Sequence, residues 1–213
     1  MKSLIIIPTY NEADNIIPLF LEIKKHYQGD ILIVDDGSPD GTAQKVKEFQ
    51  QKNPHVVLLE RPKKMGLASA YLTGFKQAIK KEYDVVFAMD ADFSHNPKYL
   101  PLMLKAIKNG ASLVIGSRYV KGGGVSNWGW FRRLISKGGN CYAKIVLCSS
   151  IKDITGGFKA FKIETLKKIN LQKVTSEGYS FQIELNHIFS SLKFPIVEIP
   201  IVFEERREGK SKM

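Results

Sequence analysis

Asp84-Val85-Val86-Phe87-Ala88-Met89-Asp90-Ala91-Asp92-Phe93-Ser94-His95-Asn96-Pro97 is an apolar run that stops in two carboxylates one residue apart. The run Asp84–Met89 is short, β-branched and aromatic, as a buried strand is. At a strand end the i, i+2 spacing projects Asp90 and Asp92 to one side. Pro97 suits the first turn of a following helix. Two hard oxygen ligands in that place suit Mg²⁺ or Mn²⁺ held against a diphosphate. Paired aspartates also occur in ordinary polar turns, so the flanking sequence has to discriminate.

Outward from this stretch, strands and helices alternate. Ser3–Pro8 predicts a strand, Thr9-Tyr10-Asn11-Glu12 a polar turn, and Ile16, Ile17, Phe20 and Ile23 a helix capped by Asn11 or Asp14. Asp30–Val34 predicts a second strand that breaks into Asp35-Asp36-Gly37-Ser38-Pro39-Asp40-Gly41-Thr42, dense in turn residues. A helix over Thr42–Lys52, a strand over Val56–Glu60 and a helix over Gly66–Lys81 lead back to the Asp84 run. A helix over Pro97–Lys108 and a strand over Ser112–Ser117 follow. This alternation predicts an α/β fold: an open, doubly wound, mostly parallel sheet with helices on both faces. Such sheets bind ligands beyond the carboxyl ends of their strands. Thr9–Glu12, Asp35–Asp36, Asp90–Asp92 and Arg118 all fall there.

The second half is less regular. Tyr119–Asn127 is glycine-rich, Trp130–Leu147 predicts an amphipathic helix, and Ile154–Phe161 a strand or bend around Gly156-Gly157. Helices are expected over Glu164–Ile169 and Phe181–Leu192, a strand over Ile196–Phe203, and a polar tail without packing pattern from Glu204. No repeat, low-complexity tract or linker divides the chain.

The 213 residues are 44% hydrophobic and 25% charged, the balance of one ordinary globular domain. No apolar run approaches the roughly 20 residues a spanning helix needs, and the N-terminus predicts a strand rather than a signal peptide. The net charge of +11 favours an anionic partner. Arg118, Lys121, Arg132, Arg133, Lys137 and Lys144 occupy a stretch to Cys148 that contains no acidic residue. No RNP-like, helix-turn-helix or zinc pattern accompanies that charge, which argues against nucleic acid. No GxGxxG follows the first strand, which argues against a dinucleotide enzyme. Trp128–Lys144, with aromatics beside Lys and Arg, fits an interfacial membrane helix and a core-packing helix with a basic edge equally well. Cys141 and Cys148 are about two helical turns apart, too far for a good disulfide, and are expected as buried free thiols.

Ile5–Asn15, Val34–Thr42 and Asp90-Ala91-Asp92 together resemble the family 2 glycosyltransferases of GT-A fold. Gly66–Tyr71, Gly116–Val120, Asp153–Phe158, Glu177–Gln182 and Gly209-Lys210-Ser211-Lys212-Met213 narrow the resemblance to the dolichol-phosphate and polyprenol-phosphate mannose synthases. It implies one catalytic domain over 1–213, with a nucleotide-binding half to about 117 and an acceptor-binding half beyond. The implied reaction moves mannose from GDP-mannose to a polyprenyl phosphate with inversion, at the cytoplasmic face of a membrane. Pro8, Tyr10, Glu12, Val34, Asp36, Asp90, Ala91, Asp92, Arg206 and Lys212 match donor-binding positions. Asp90 and Asp92, with Ser94 as a weaker ligand, match the Mg²⁺ or Mn²⁺ site. Arg118, Arg132 and Ser136 match the cradle of the acceptor phosphate, and Asp92, Arg118 and Arg132 the groups acting at the reacting atoms. The Arg206–Lys212 segment is expected to close as a lid. His95 is expected to shape the turn after the aspartates, and His187 to pack on its helix. Some relatives continue into membrane-spanning helices, so three readings stand here: a chain cut short before such an anchor, an anchoring partner subunit, or peripheral contact through Trp128–Lys144. Two other readings are a UDP-glucose-dependent glucosyltransferase for the same acceptor, and a non-catalytic nucleotide-sugar-binding relative. The Gly157 position and the tail favour mannose; intact Asp90, Asp92 and arginines favour catalysis.

Overall fold

In the computed structural model, residues 1–204 are described. Their order is β1 (Ser3–Thr9), α1 (Ile16–His26), β2 (Asp30–Asp35), α2 (Thr42–Gln51), β3 (Val56–Glu60), α3 (Leu67–Lys80) and β4 (Val85–Ala88). After a 3₁₀ turn at Pro97–Tyr99 come α4 (Leu100–Lys108), β5 (Leu113–Ser117), β6 (Gly124–Val125) and α5 (Trp130–Val146). The chain continues through β7 (Lys159–Lys162), α6 (Ile163–Leu166), α7 (Gly178–Ser191), β8 (Ile196–Pro200) and β9 (Val202–Phe203).

Seven strands form one sheet in the order β3-β2-β1-β4-β7-β5-β8. The alternation along β1 explains the two-sided core. Leu4 and Ile6 pack with Phe75, Phe181 and Phe189 of α3 and α7, while Ile5 and Ile7 pack with Phe20 of α1 and Met103 of α4. Period-2 side chains on a sheet buried on both faces dictate this split.

β7 departs from the parallel pattern. It runs antiparallel to both β4 and β5, with Ala88 opposite Lys159 and Val85 opposite Lys162. Its start therefore lies beside the carboxyl end of β4, and the Gly156-Gly157 bend arrives next to Asp90. The strand expected over Ile196–Phe203 breaks at Ile201. β8 pairs with β5, and β9 with β6 in a separate two-stranded sheet. The helix expected over Glu164–Ile169 shortens to α6, and α7 starts three residues before its expected first residue, Phe181.

α5 lies on the molecule with only Asn140 and Ala143 buried. Trp130, Phe131, Leu134, Ile135, Tyr142, Ile145 and Val146 are all exposed, so the core-packing reading of this helix does not hold. Cys141 and Cys148 are exposed for the same reason, correcting the expectation of buried thiols. No helix among the described residues is long and apolar enough to cross a membrane.

Candidate active site

β4 delivers Asp90 and Asp92 to the carboxyl edge of the sheet, between β1 and the incoming β7 bend. The Tyr71 hydroxyl donates to Asp90 Oδ1 at 3.0 Å. Full burial, then the neighbouring Asp90, push the Tyr71 phenol well above its ordinary pKa, so it remains a donor. The Asp90 amide donates to His95 Nδ1 at 3.0 Å. A neutral His95 therefore carries its proton on Nε2, which stands 3.8 Å from Asp90 Oδ2. The imidazole stacks on Phe158 with centroids 5.0 Å apart and meets Phe203 edge-on. His95 braces the aspartate turn, and its engaged Nδ1 is no general base. His187 is exposed and contacts Ser191 on its own helix.

The turn is completed by Phe93 at φ 64 and by the Ser94 amide, which donates to Asp92 Oδ1 at 3.1 Å. Ser94 is buried, and its Oγ has no hydrogen-bond partner among the described residues. An orphaned buried oxygen beside two carboxylates fits a hard divalent cation. Among the described residues no three His, Cys, Asp or Glu side chains cluster as a metal site. The protein thus offers Asp90, Asp92 and Ser94, and further oxygens have to come from a ligand and water.

The β1 and β2 ends form the neighbouring floor. Pro8 pairs with Val34 across the strands. Val34 is fully buried, and its side chain packs in the core. Tyr10 and Glu12 are half-buried, with the Lys64 ammonium 4.8 Å from the Tyr10 ring centre. Asp35 ties the turn together, accepting from Thr9 Oγ1 at 2.8 Å and from the Ser38 amide at 2.9 Å. Asp36 has protein partners that the sequence did not announce. Its carboxylate is turned onto Arg61 and accepts from the amides of Met65 and Gly66 at 3.0 and 3.1 Å. Arg61 also reaches Ser69 Oγ at 2.7 Å and Gly66 O at 3.1 Å. Asp36 thereby fixes the 61–66 turn at the rim of the floor. Gly37, at φ 67, lets this turn approach, since a Cβ there would meet Arg61 O at 3.2 Å.

Across from the aspartates stand the cations. Arg118 follows β5 and forms a two-pronged pair with Asp153, Nε to Oδ2 at 2.8 Å and Nη2 to Oδ1 at 2.7 Å. Nη2 also meets Thr155 Oγ1 at 2.7 Å. The guanidinium expected to cradle a phosphate is thus charge-balanced and fixed by the chain itself. Arg132 lies with its guanidinium 4.3 Å from the centre of the Trp128 ring. One cavity of about 100 Å³ is lined by Asp90, Asp92, Ser94, Gly157, Arg118 and Arg132. Ser136 lies outside that lining and shares a 2.8 Å hydrogen bond with the Tyr119 hydroxyl. Trp128 separates this cavity from a second groove lined by Arg133 and Lys137. Arg206 and Lys212, and with them the expected lid, lie outside the described residues.

A model for "Glycosyl transferase family 2" matches residues 4–169. The chain belongs to glycosyl transferase family 2. Over 215 residues it is 46% identical to the polyprenol monophosphomannose synthase of Mycolicibacterium smegmatis, covering 100% of this chain and 81% of that protein. It is 43% identical to the undecaprenyl-phosphate mannosyltransferase of Micrococcus luteus, covering 100% of this chain and 88% of that protein. Its fold is similar to that of the mannosyltransferase PcManGT from Pyrobaculum calidifontis, solved with GDP-Man and Mn²⁺. That match has a TM-score of 0.66 at 19% identity, over 99% of this chain and 58% of that one.

The family 2 domain therefore places a carboxylate turn and a cationic wall on one cavity, the arrangement that glycosyl transfer between two anions requires. Four groups in and around it were given no role of their own from the sequence, although three of them lie in the strings that carry the resemblance: Tyr71, Arg61, Asp153 and Gln182. Each acts through a partner far away in the chain. The available signals were weak: an Arg-Pro pair after β3 for Arg61, and an aspartate within an apolar-and-glycine string for Asp153.

Proposed function

We propose that this family 2 domain transfers mannose from GDP-mannose to a polyprenyl phosphate at the cytoplasmic face of a membrane, releasing GDP. The cavity shared by Asp90 and Asp92 with Arg118 and Arg132 carries the reading. The names of the relatives that match the whole chain support the same donor and acceptor classes. A phosphate oxygen of the acceptor attacks the anomeric carbon, and the bond from that carbon to the GDP oxygen breaks with inversion. A phosphate monoester is already ionised near neutral pH, so the chain need not supply a strong base. A divalent cation at Asp90, Asp92 and Ser94, Mg²⁺ or Mn²⁺, neutralises charge on the departing diphosphate when bound. The Arg118–Asp153–Thr155 cluster holds the opposite wall rigid, and Arg132 brings positive charge to the acceptor phosphate.

The test is lipid-extractable label from GDP-mannose or UDP-glucose, each with a short polyprenyl phosphate, with Mn²⁺ or EDTA. Label from GDP-mannose alone, lost with EDTA, is the expected result. Label from UDP-glucose alone overturns the donor assignment, and no label from either overturns the reaction. Arg132→Ala is expected to raise the KM for polyprenyl phosphate by about 10- to 100-fold, while GDP-mannose affinity stays within about twofold. Equal losses for donor and acceptor would assign Arg132 to the donor site.

We assign peripheral membrane contact to α5. Its exposed Trp130, Phe131, Leu134 and Ile135 stand beside Arg133 and Lys137, the mix of apolar anchors and cations that an anionic bilayer surface takes up. Replacing Phe131 and Ile135 together with glutamate is expected to weaken sedimentation with phosphatidylserine-containing vesicles by about tenfold or more. GDP-mannose binding serves as the control. Unchanged sedimentation would remove α5 from the membrane contact.

A further inference from the structure

Lys159 opens β7 in the middle of the sheet with no solvent exposure. A lysine there costs desolvation that a methionine of similar length would avoid. Burial holds its ammonium well below the ordinary lysine range, with Asp153 opposing that shift. Its Nζ donates to two oxygens of one residue, the Gln182 main-chain carbonyl at 2.9 Å and Gln182 Oε1 at 2.7 Å.

Gln182 lies near the start of α7 and lines the active-site cavity. An amide is planar, with one acceptor and one donor end. With Oε1 held by Lys159, Nε2 faces the other way. It forms no hydrogen bond among the described residues. Gly157 shows what it faces. A Cβ built there would stand 3.7 Å from Gln182 Nε2, 3.8 Å from Asp90 Oδ2 and 3.4 Å from His95 Cε1. Three groups thus converge on the cavity wall at the face where Gly157 carries no side chain: a donor, an anionic acceptor and an imidazole edge.

We infer that Lys159 is a positioning residue of the donor site, turning the Gln182 amide so that Nε2 donates to a hydroxyl of the transferred sugar. A hydroxyl suits the space in front of Gly157 because it accepts from Nε2 while donating to Asp90 Oδ2. A phosphate oxygen has no proton to donate and would be repelled by the aspartate. The missing side chain at Gly157 leaves the approach to these two groups clear for the sugar. This assignment rests on the nucleotide-sugar reading above.

The test is a pair of calorimetric titrations, GDP-mannose and GDP with Mn²⁺, on the full chain, three single variants and one double variant. Gln182→Glu keeps an acceptor for Lys159 but removes the donor. Lys159→Met removes the orienting group. Gln182→Leu serves as the end point for combining with Lys159→Met. Each single substitution is expected to weaken GDP-mannose binding by about tenfold and leave GDP within about twofold. Lys159→Met added to Gln182→Leu should cost nothing further for GDP-mannose, because the two act through one amide. A merely structural role would weaken GDP and GDP-mannose alike, and that outcome overturns the inference, as does unchanged GDP-mannose binding in Gln182→Glu. If Lys159→Met does not fold, Lys159→Gln takes its place in the same comparison. A wild-type chain that binds neither nucleotide overturns the donor assignment instead.

Discussion

Alanine at Asp92 is expected to lower mannosyl transfer by about 10³-fold or more, with a thermal midpoint shifted by only about 2–4 °C. The two halves of this expectation have separate origins. Asp92 is half-buried at the cavity mouth, and its carboxylate holds the local turn through the Ser94 amide at 3.1 Å. Losing that bond costs about 1 kcal/mol. Asp90 is differently placed, since Tyr71 and His95 also brace it. Its substitution would mix a lost ligand with a disturbed core, so Asp92 is the cleaner probe. The loss of activity should come with a loss of the Mn²⁺ requirement for GDP-mannose binding, measured by titration in EDTA and in Mn²⁺. Full transfer by Asp92→Ala would falsify the metal-turn assignment, whatever the variant's stability.

The aspartate turn was readable because its signals are local. An apolar run, two carboxylates and a proline lie within fourteen residues, and strand ends in a doubly wound sheet converge on one edge. The same locality made β1, β2, β4 and β5 legible. β7 was only partly so: the strand or bend expected over Ile154–Phe161 overlaps Lys159–Lys162, but its antiparallel sense is set by pairing with strands far away in sequence. That one reversal carries Gly157 and Gln182 into the site, and it is where the sequence reading of the site was thinnest. Asp36 and Val34 sit at the strand end where the sequence put them, but the protein partners of their side chains were not foreseen. Strand position tells which edge a residue reaches, while burial and a distant Arg61 decide what it touches. On α5 the periodicity separated apolar from basic positions, yet nothing local states which face meets the core. Here the core takes only Asn140 and Ala143.

The second large effect is expected at Asp153, a fully buried carboxylate that accepts from the Arg118 amide at 2.8 Å as well as from its guanidinium. Asp153→Ala leaves the Arg118 charge, whose side chain is 10% exposed, without its counter-ion. Breaking one member of such a pair costs about 3–5 kcal/mol, read as a lower denaturant midpoint at unchanged m-value. Replacing both, as Asp153→Leu with Arg118→Met, should recover much of that stability, since two apolar groups need no compensation. Transfer should not return with it. If an apolar pair holds the sheet as well, the double variant separates the chemical role of this pair from its structural one. A double variant that regains both stability and activity would show Arg118 to be scaffolding alone and leave the acceptor phosphate to Arg132. A double variant that regains stability alone would keep Arg118 on the reacting side, where its charge acts through a geometry that Asp153 and Thr155 set in advance.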